Sequence, residues 1–364
     1  MSALPEIPEH EHRQRIPDAR SESRLLELRR DAERRGRVDG LGVRPAGAPF
    51  PQASPDTGYY GIPMLKQPQW TWQIPLYFFA GGAAGSAGVI GSLADIVGDD
   101  YHLARHARWL ALGGAMLSSG LLIWDLGRPR RFLNMLRVFK PQSPMSMGAW
   151  ILAAFGNFAA AASFADLLRA RYGRSLPVRL LGGAGRVGSA LFGMPFHNYT
   201  GVLIGATAVP VWNHKIKHLP RHFGMSGLGA AVGLLELMGH DDSRALNLLG
   251  LLAAAGESYE GMLIESEQDR VLRPLKRGGS GWVTRAGGVL SGPLPLALRM
   301  IGWRSPRLRR AAACSAVAGS LLTRYGWMAA GRASAADFRL PLDIPEHAAR
   351  PEITGPAAED MRAA

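Results

Sequence analysis

From Ile74 onward, apolar runs of roughly 17–24 residues alternate with basic connectors. Runs of that length match the ~30 Å hydrocarbon core of a bilayer at about 1.5 Å of rise per helical residue. A helix of a soluble bundle carries an apolar stripe and a charged face. Residues 145–164 read MSMGAWILAAFGNFAAAASF and carry no charge on any face. The pattern predicts an all-α protein, a polytopic transmembrane bundle of about eight helices. They are expected near 74–97, 107–124, 145–168, 196–213, 222–240, 244–264, 284–301 and 308–331. Pro293 and Pro295 interrupt the seventh. Small residues recur on the first (Gly81, Gly82, Gly85, Ser86, Gly88), second (Gly113, Gly114) and fifth (Gly227, Gly229, Gly233) helices. In lipid, where apolar side chains gain little by meeting one another, such residues let backbones approach closely.

Composition alone misleads. A mean hydropathy of −0.01 is that of a soluble protein, but the charges are segregated. Residues 1–58 are rich in Arg, Glu and Pro and read as a disordered or peripheral tail. Residues 59–337 form the expected transmembrane domain, and 338–364 a C-terminal tail. The opening MSALPEIPEHEHRQR lacks the apolar core of a cleaved signal, so the first helix is expected to direct insertion. With eight helices, both tails share a side with the connectors 125–144, 213–222 and 265–284. The opposite connectors are basic too, so the net charge of +13 gives the positive-inside rule little grip. The single Cys314 reads as a small packing residue and excludes a Cys-ligated iron–sulfur cluster within the chain.

Acidic residues at depth carry potential chemistry. Asp95 ends the first helix, Glu236 lies in the fifth, and Glu257 and Glu260 lie in the sixth. A carboxylate in hydrocarbon must be paired, protonated or beside water. Arg324 in the eighth helix is a candidate partner. A structural clamp and a proton route both remain open for Glu257. Glu260, three residues on, falls on nearly the same face, where two carboxyls can share a proton. His102 and His106, beside Asp99 and Asp100, lack a defining ligand pattern, so no metal site is expected. His214, His218 and His222 read as a basic interfacial cluster, because Pro220 breaks a helix between them.

Four segments in order carry a family resemblance: YYGIPMLKQPQWTWQIPLYFFAGGAAG (59–85), DLGRPRRFLNMLRVFKPQSPMSMGAW (125–150), FHNYTGVLIGATAVPVWNHKIKHLP (196–220) and GSLLTRYGWMAAGRASAAD (319–337). Together the chain resembles the NrfD/PsrC family, integral membrane subunits of bacterial oxidoreductases of the polysulfide reductase type. The resemblance implies a subunit of the bacterial inner membrane that reacts with quinone or quinol (menaquinone or ubiquinone) and carries no haem. It also implies a ferredoxin-like [4Fe–4S] partner serving a molybdopterin catalytic subunit. Polysulfide reduction and formate dehydrogenase chemistry, both in anaerobic respiration, are compatible. Nucleic acid is not among the expected partners.

On that reading, Arg128, Arg130, Arg131, Arg137 and Lys140 form a positive shelf for an acidic electron-transfer partner. Their apolar neighbours would form an amphipathic interfacial helix. Attraction to anionic lipid headgroups is the other reading of the same charges. A quinone headgroup needs hydrogen-bond partners near a membrane surface. Gln73 and Tyr77, one turn apart on the first helix, and His197 and Tyr199, opening the fourth, are candidates, with Asp95 as a further polar group. Tyr77 and Glu257 are the residues nominated for the reaction itself. Helix parity, however, puts Tyr77 and Tyr199 at opposite ends of the bundle if the fourth helix begins at residue 196. Two other classes stay open: a haem b anchor, which requires axial His pairs inside the helices, and a secondary transporter with broken helices.

Overall fold

The computed structural model describes Arg30 and residues 65–337, apart from 99, 127 and 304. The expected tails, residues 59–64 of the first motif, Asp99 and Gly127 therefore lie outside the described residues. All regular structure among the described residues is helical. The long helices are α1 (Gln73–Val97), α2 (Tyr101–Asp125), α3 (Pro144–Tyr172), α4 (Leu176–Gly205), α5 (Leu219–Leu235), α6 (Arg244–Ser266), α7 (Gly278–Ser291), α8 (Pro293–Ile301) and α9 (Pro306–Ala336).

Local chemistry sets the reversals. Gly98 closes α1 at a φ of 81°, a left-handed cap that glycine adopts without cost, and its N–H reaches the Ala94 carbonyl. Asp100 then caps α2 by accepting from the Leu103 N–H at 2.9 Å. Ser143 caps α3, with Pro144 in its first turn. α5 widens into a π turn at Glu236–His240, where Gly239 at φ 104° turns the chain toward the Ser243 cap of α6. Antiparallel neighbours follow. The starts of α1, α3, α5 and α7 and the ends of α2, α4, α6 and α9 share one end of the bundle, here called proximal. Asp95, Arg108 and Asp166 mark the distal end.

Polarity is distributed inside out. Leu180, Val187, Leu191 and Met194 on α4 and Leu248, Leu252 and Met262 on α6 are exposed. Arg108, Arg299, Arg324, Glu236, Glu257 and Glu260 are buried. A protein folded in water does the reverse. α1, α2 and α3 are long and apolar enough to cross a bilayer by length and composition. α4 and α9 are longer still, at 30 and 31 residues, but carry arginines. α1 is the central helix, buried along most of its length against α2, α4, α5 and α9. Gly85 shows why it is glycine-rich. A Cβ there would sit 2.7 Å from both the Gly193 carbonyl oxygen and the His197 nitrogen, so α1 meets α4 backbone to backbone.

Four expectations change. The fourth helix starts at Leu176, twenty residues before the expected 196. Its Gly182, Gly185 and Gly188 are not breakers but contacts with α3, and Pro195 is carried inside the helix. The seventh is two helices, parted at Gly292. The described residues of the connector 125–144 form no amphipathic helix. They form a 3-10 turn at Pro129–Arg131 and one helical turn at Phe132–Met135. Cys314 is exposed on α9 rather than packed.

Candidate functional site

Because α4 begins at Leu176, residues 196–199 fall in its last third, toward the proximal end. This removes the parity conflict. His197 lies eight residues before the end of α4, about 12 Å along its axis. Its Nδ1 contacts the Met194 carbonyl, and Gly85 across the interface holds its backbone. His197 and Asn198 line a cavity of about 340 Å³ between α1, α4 and α5. The other walls are chiefly apolar, including Val89, Ile90, Met194 and Leu228. Ser86 also lines it, and its buried hydroxyl has no hydrogen-bond partner among the described residues. Arg221, in the first turn of α5, stands at the proximal side of the same cavity.

From Arg221 a polar chain leads outward. Arg221 Nε stands 3.2 Å from Glu260 Oε1, and His218 Nδ1 stands 3.1 Å from Glu260 Oε2. One turn deeper, His222 Nδ1 is 3.1 Å from Glu257 Oε1, although not aligned for a hydrogen bond. Ser291 donates to Glu257 Oε2 at 2.9 Å. The two carboxyls thus do not pair with each other; each has its own imidazole. His218, which precedes α5, and His222, one turn on within it, meet glutamates three apart on the antiparallel α6. This revises the reading of His222, which turns inward instead of joining an interfacial cluster. Pro220 does not break a helix there but sits in the first turn of α5. His222 and Glu257 face a second cavity of about 340 Å³, shared with Ser258, Thr284 and Thr323.

Arg324 is fully buried, stacks 4.0 Å over the Phe223 ring and donates to the Phe223 carbonyl at 2.8 Å. Its charge reaches Glu257 without a hydrogen bond between them. The partner of Glu236 is instead Arg299, in a bidentate pair at 2.7 and 2.6 Å. Sequence reading missed Arg299 because it lies in the proline-interrupted segment.

The structure groups the remaining candidates differently. Tyr77 is buried and within electrostatic reach of Tyr199, whose hydroxyl contacts the Pro144 carbonyl. The Tyr77 hydroxyl has no hydrogen-bond partner among the described residues. Gln73 contacts Thr71, which donates to Asp125 at 3.1 Å and ties the start of α1 to the end of α2. Asp95 is not brought to this group. It lies eighteen residues from Tyr77, about 27 Å along α1, and contacts Arg108, which also binds Asp166 at 2.6 Å. His106 Nδ1 meets His240 Nε2 at 2.8 Å, and His102 takes no part in that contact. His214, Glu267 and Asp269 cluster at the proximal surface. There the His214 hydrogen bond and Lys215 hold the Glu267 carboxyl below its usual range.

In the connector, Arg128, Arg130, Arg131, Arg137 and Lys140 are all exposed and face no carboxylate among the described residues. Phe139 packs edge-on against Trp150 at 5.9 Å and Ser146 accepts from the Lys140 N–H, so the segment is anchored to α3. Residues 62–238, spanning α1 to α5 and this connector, match the family described as Polysulphide reductase, NrfD. Over these residues the chain is similar to the NrfD family, and the match supports its membership of that family. NrfD proteins are membrane subunits of polysulfide reductase-like complexes. The match covers the α1, α4 and α5 walls of the His197 cavity and stops before α6, so Leu249 of that cavity, Glu257, Arg299 and Arg324 lie beyond it. No curated protein matches the chain.

Proposed function

We propose that this chain is the quinone-reactive, multi-pass membrane subunit of a respiratory oxidoreductase complex in a bacterial inner membrane. In this role it passes electrons between the quinone pool and an iron–sulfur partner. The observation that carries the reading is the His197 cavity. It is apolar along most of its wall, with an imidazole, an amide and a partnerless hydroxyl converging on it. A quinone ring with two carbonyl oxygens and an apolar tail fits that chemistry. His197, Asn198 and Ser86 would hold the ring, with Arg221 at its proximal edge. Menaquinone or ubiquinone supplies two-electron, two-proton chemistry when bound. The chain's own part is to orient the ring, exclude water and carry protons through side chains.

Photolabelling the full-length chain with an azido-quinone tests this. The label is expected in the α4 peptide around His197, and His197→Leu should reduce it at least about tenfold, the loss of one well-placed polar contact. Undiminished labelling in His197→Leu would refute the assignment. Tyr77 supports a second placement, because its side chain is buried and its hydroxyl makes no hydrogen bond among the described residues. Loss of label in Tyr77→Phe alone would move the ring to the tyrosine pair.

The connector supports the docking of an acidic iron–sulfur subunit, of the ferredoxin-like type that serves a molybdopterin enzyme. Five exposed cations sit among the exposed Leu133, Val138 and Phe139, on a segment anchored to α3. They lie at the proximal end, as do Gln73 and the Arg221 edge of the cavity. Arg130→Glu with Arg131→Glu is expected to release the soluble subunits from membranes at moderate ionic strength, leaving this chain inserted. Continued retention of those subunits would show that the connector binds something else, such as lipid.

A further inference from the structure

The distal end holds a second concentration of charge that the quinone reading does not use. A cleft between α3 and the start of α4 has a volume of about 210 Å³ and is lined by Arg169, Arg174, Arg179 and Arg186. Asp166 and Arg169 also line an adjoining lobe of about 380 Å³, with Arg105 and Tyr101. The carboxylates nearby are already engaged. Asp166 binds Arg108 at 2.6 Å, and Asp95 binds Arg108 and stands 3.6 Å from Arg186. Arg169 lies 5.5 Å over the Tyr101 ring. Arg169, Arg174 and Arg179 have no carboxylate partner among the described residues.

Helix dipoles do not account for the arrangement. Arg169 is well placed at the C-terminus of α3, but Arg179 sits in the first turn of α4, where a cation is unfavourable. Guanidinium groups converging on one cleft repel one another unless an anion lies between them, and their planar forks suit phosphate. The surroundings indicate which phosphate. Leu167, which lines the second lobe, is exposed, and Phe164, one turn deeper toward the bilayer centre on α3, is exposed as well. The cationic cleft therefore opens onto an apolar face where an acyl chain can lie.

We propose that this distal cleft binds the phosphodiester headgroup of an anionic phospholipid, with its acyl chains along Leu167 and Phe164. The proposal rests on the multi-pass membrane reading but not on the quinone site. The full-length chain, reconstituted in nanodiscs of mixed phosphatidylglycerol and phosphatidylcholine, is released for native mass spectrometry. Retained phosphatidylglycerol is expected on the wild type. Arg174→Gln with Arg179→Gln should weaken retention roughly tenfold or more, the scale of one charge-assisted hydrogen bond. Arg174→Lys with Arg179→Lys should restore most of it. Lys217→Gln with Arg332→Gln, two exposed cations toward the other end, should leave it unchanged. Equal retention in the distal glutamine variant overturns the proposal. So does stabilisation of the detergent-purified chain by millimolar inorganic phosphate with none by phosphatidylglycerol, since the anion would then be free phosphate. Extraction of the chain from membranes by alkaline carbonate would instead overturn the membrane reading, separately from the cleft.

Discussion

Arg299→Leu is expected to destabilise the chain by about 3–5 kcal/mol, read as a large fall in Tm of the detergent-purified protein. Arg299 is 1% exposed and Glu236 is fully buried. The guanidinium meets both carboxylate oxygens, at 2.7 and 2.6 Å, and also donates to Asn247 at 3.2 Å. It reaches them by crossing over Gly250, where an added Cβ would lie 2.3 Å from the guanidinium carbon. Removing the arginine leaves the Glu236 carboxylate buried without either hydrogen bond of its bidentate partner, with only the more distant charge of Arg309 acting on it. That penalty, rather than the strength of the pair, sets the size of the effect. The double variant Glu236→Leu, Arg299→Leu should therefore recover most of the loss. Wild-type stability in Arg299→Leu alone would mean that the pair does not hold α8 to the bundle.

The same pair shows where the sequence is legible. The bundle is readable because long apolar runs cannot be packed otherwise, and the positions of α1, α3 and α6 are close to those expected. The start of α4 is not readable in the same way. Arg179, Arg186 and the glycines between them resemble a connector, and only contact with α3 shows that those glycines pack. That twenty-residue difference decides whether His197 and Tyr199 lie near Tyr77 or across the membrane from it. Glu236 was visible as a costly buried acid, yet its partner was hidden in a segment that Pro293 and Pro295 made look irregular. Arg324 was the visible candidate, and it proves to be held by the Phe223 carbonyl and ring instead. His222 was obscured by Pro220, which reads as a helix breaker in sequence but opens α5 in the fold. The connector charges were legible as charges. Its apolar residues, at near-helical spacing, suggested a helix, but one helical turn forms at Phe132–Met135, and Pro141 and Pro144 follow within a few residues.

Glu257→Gln is expected to lower quinone-linked turnover about 100-fold or more, the scale of a lost proton-transfer group, while the complex still assembles. Glu257 lies nine residues before the end of α6, about 14 Å along the axis. It is 3% exposed and faces His222 on one oxygen and Ser291 on the other. Glu260, about one turn nearer the proximal surface, faces His218 and Arg221. Two carboxyl–imidazole steps are therefore stacked along the α5–α6 interface, the inner one beside a cavity and the outer one reaching half-exposed His218. Gln keeps the size of Glu257 and its bond from Ser291 but cannot take up or release a proton, so a route through this oxygen is cut without opening the bundle. Clamping to Arg324 predicts something else. In that case Glu257→Gln and Arg324→Gln would cause similar losses of assembled complex, with the turnover of the surviving fraction intact. The absence of a hydrogen bond between the two side chains argues against the clamp. Electron delivery to an artificial dye by the soluble subunits should be unchanged in Glu257→Gln, since that assay bypasses the membrane helices. Normal quinone-linked turnover in an intact Glu257→Gln complex would remove this residue from the route and leave its burial as a matter of packing.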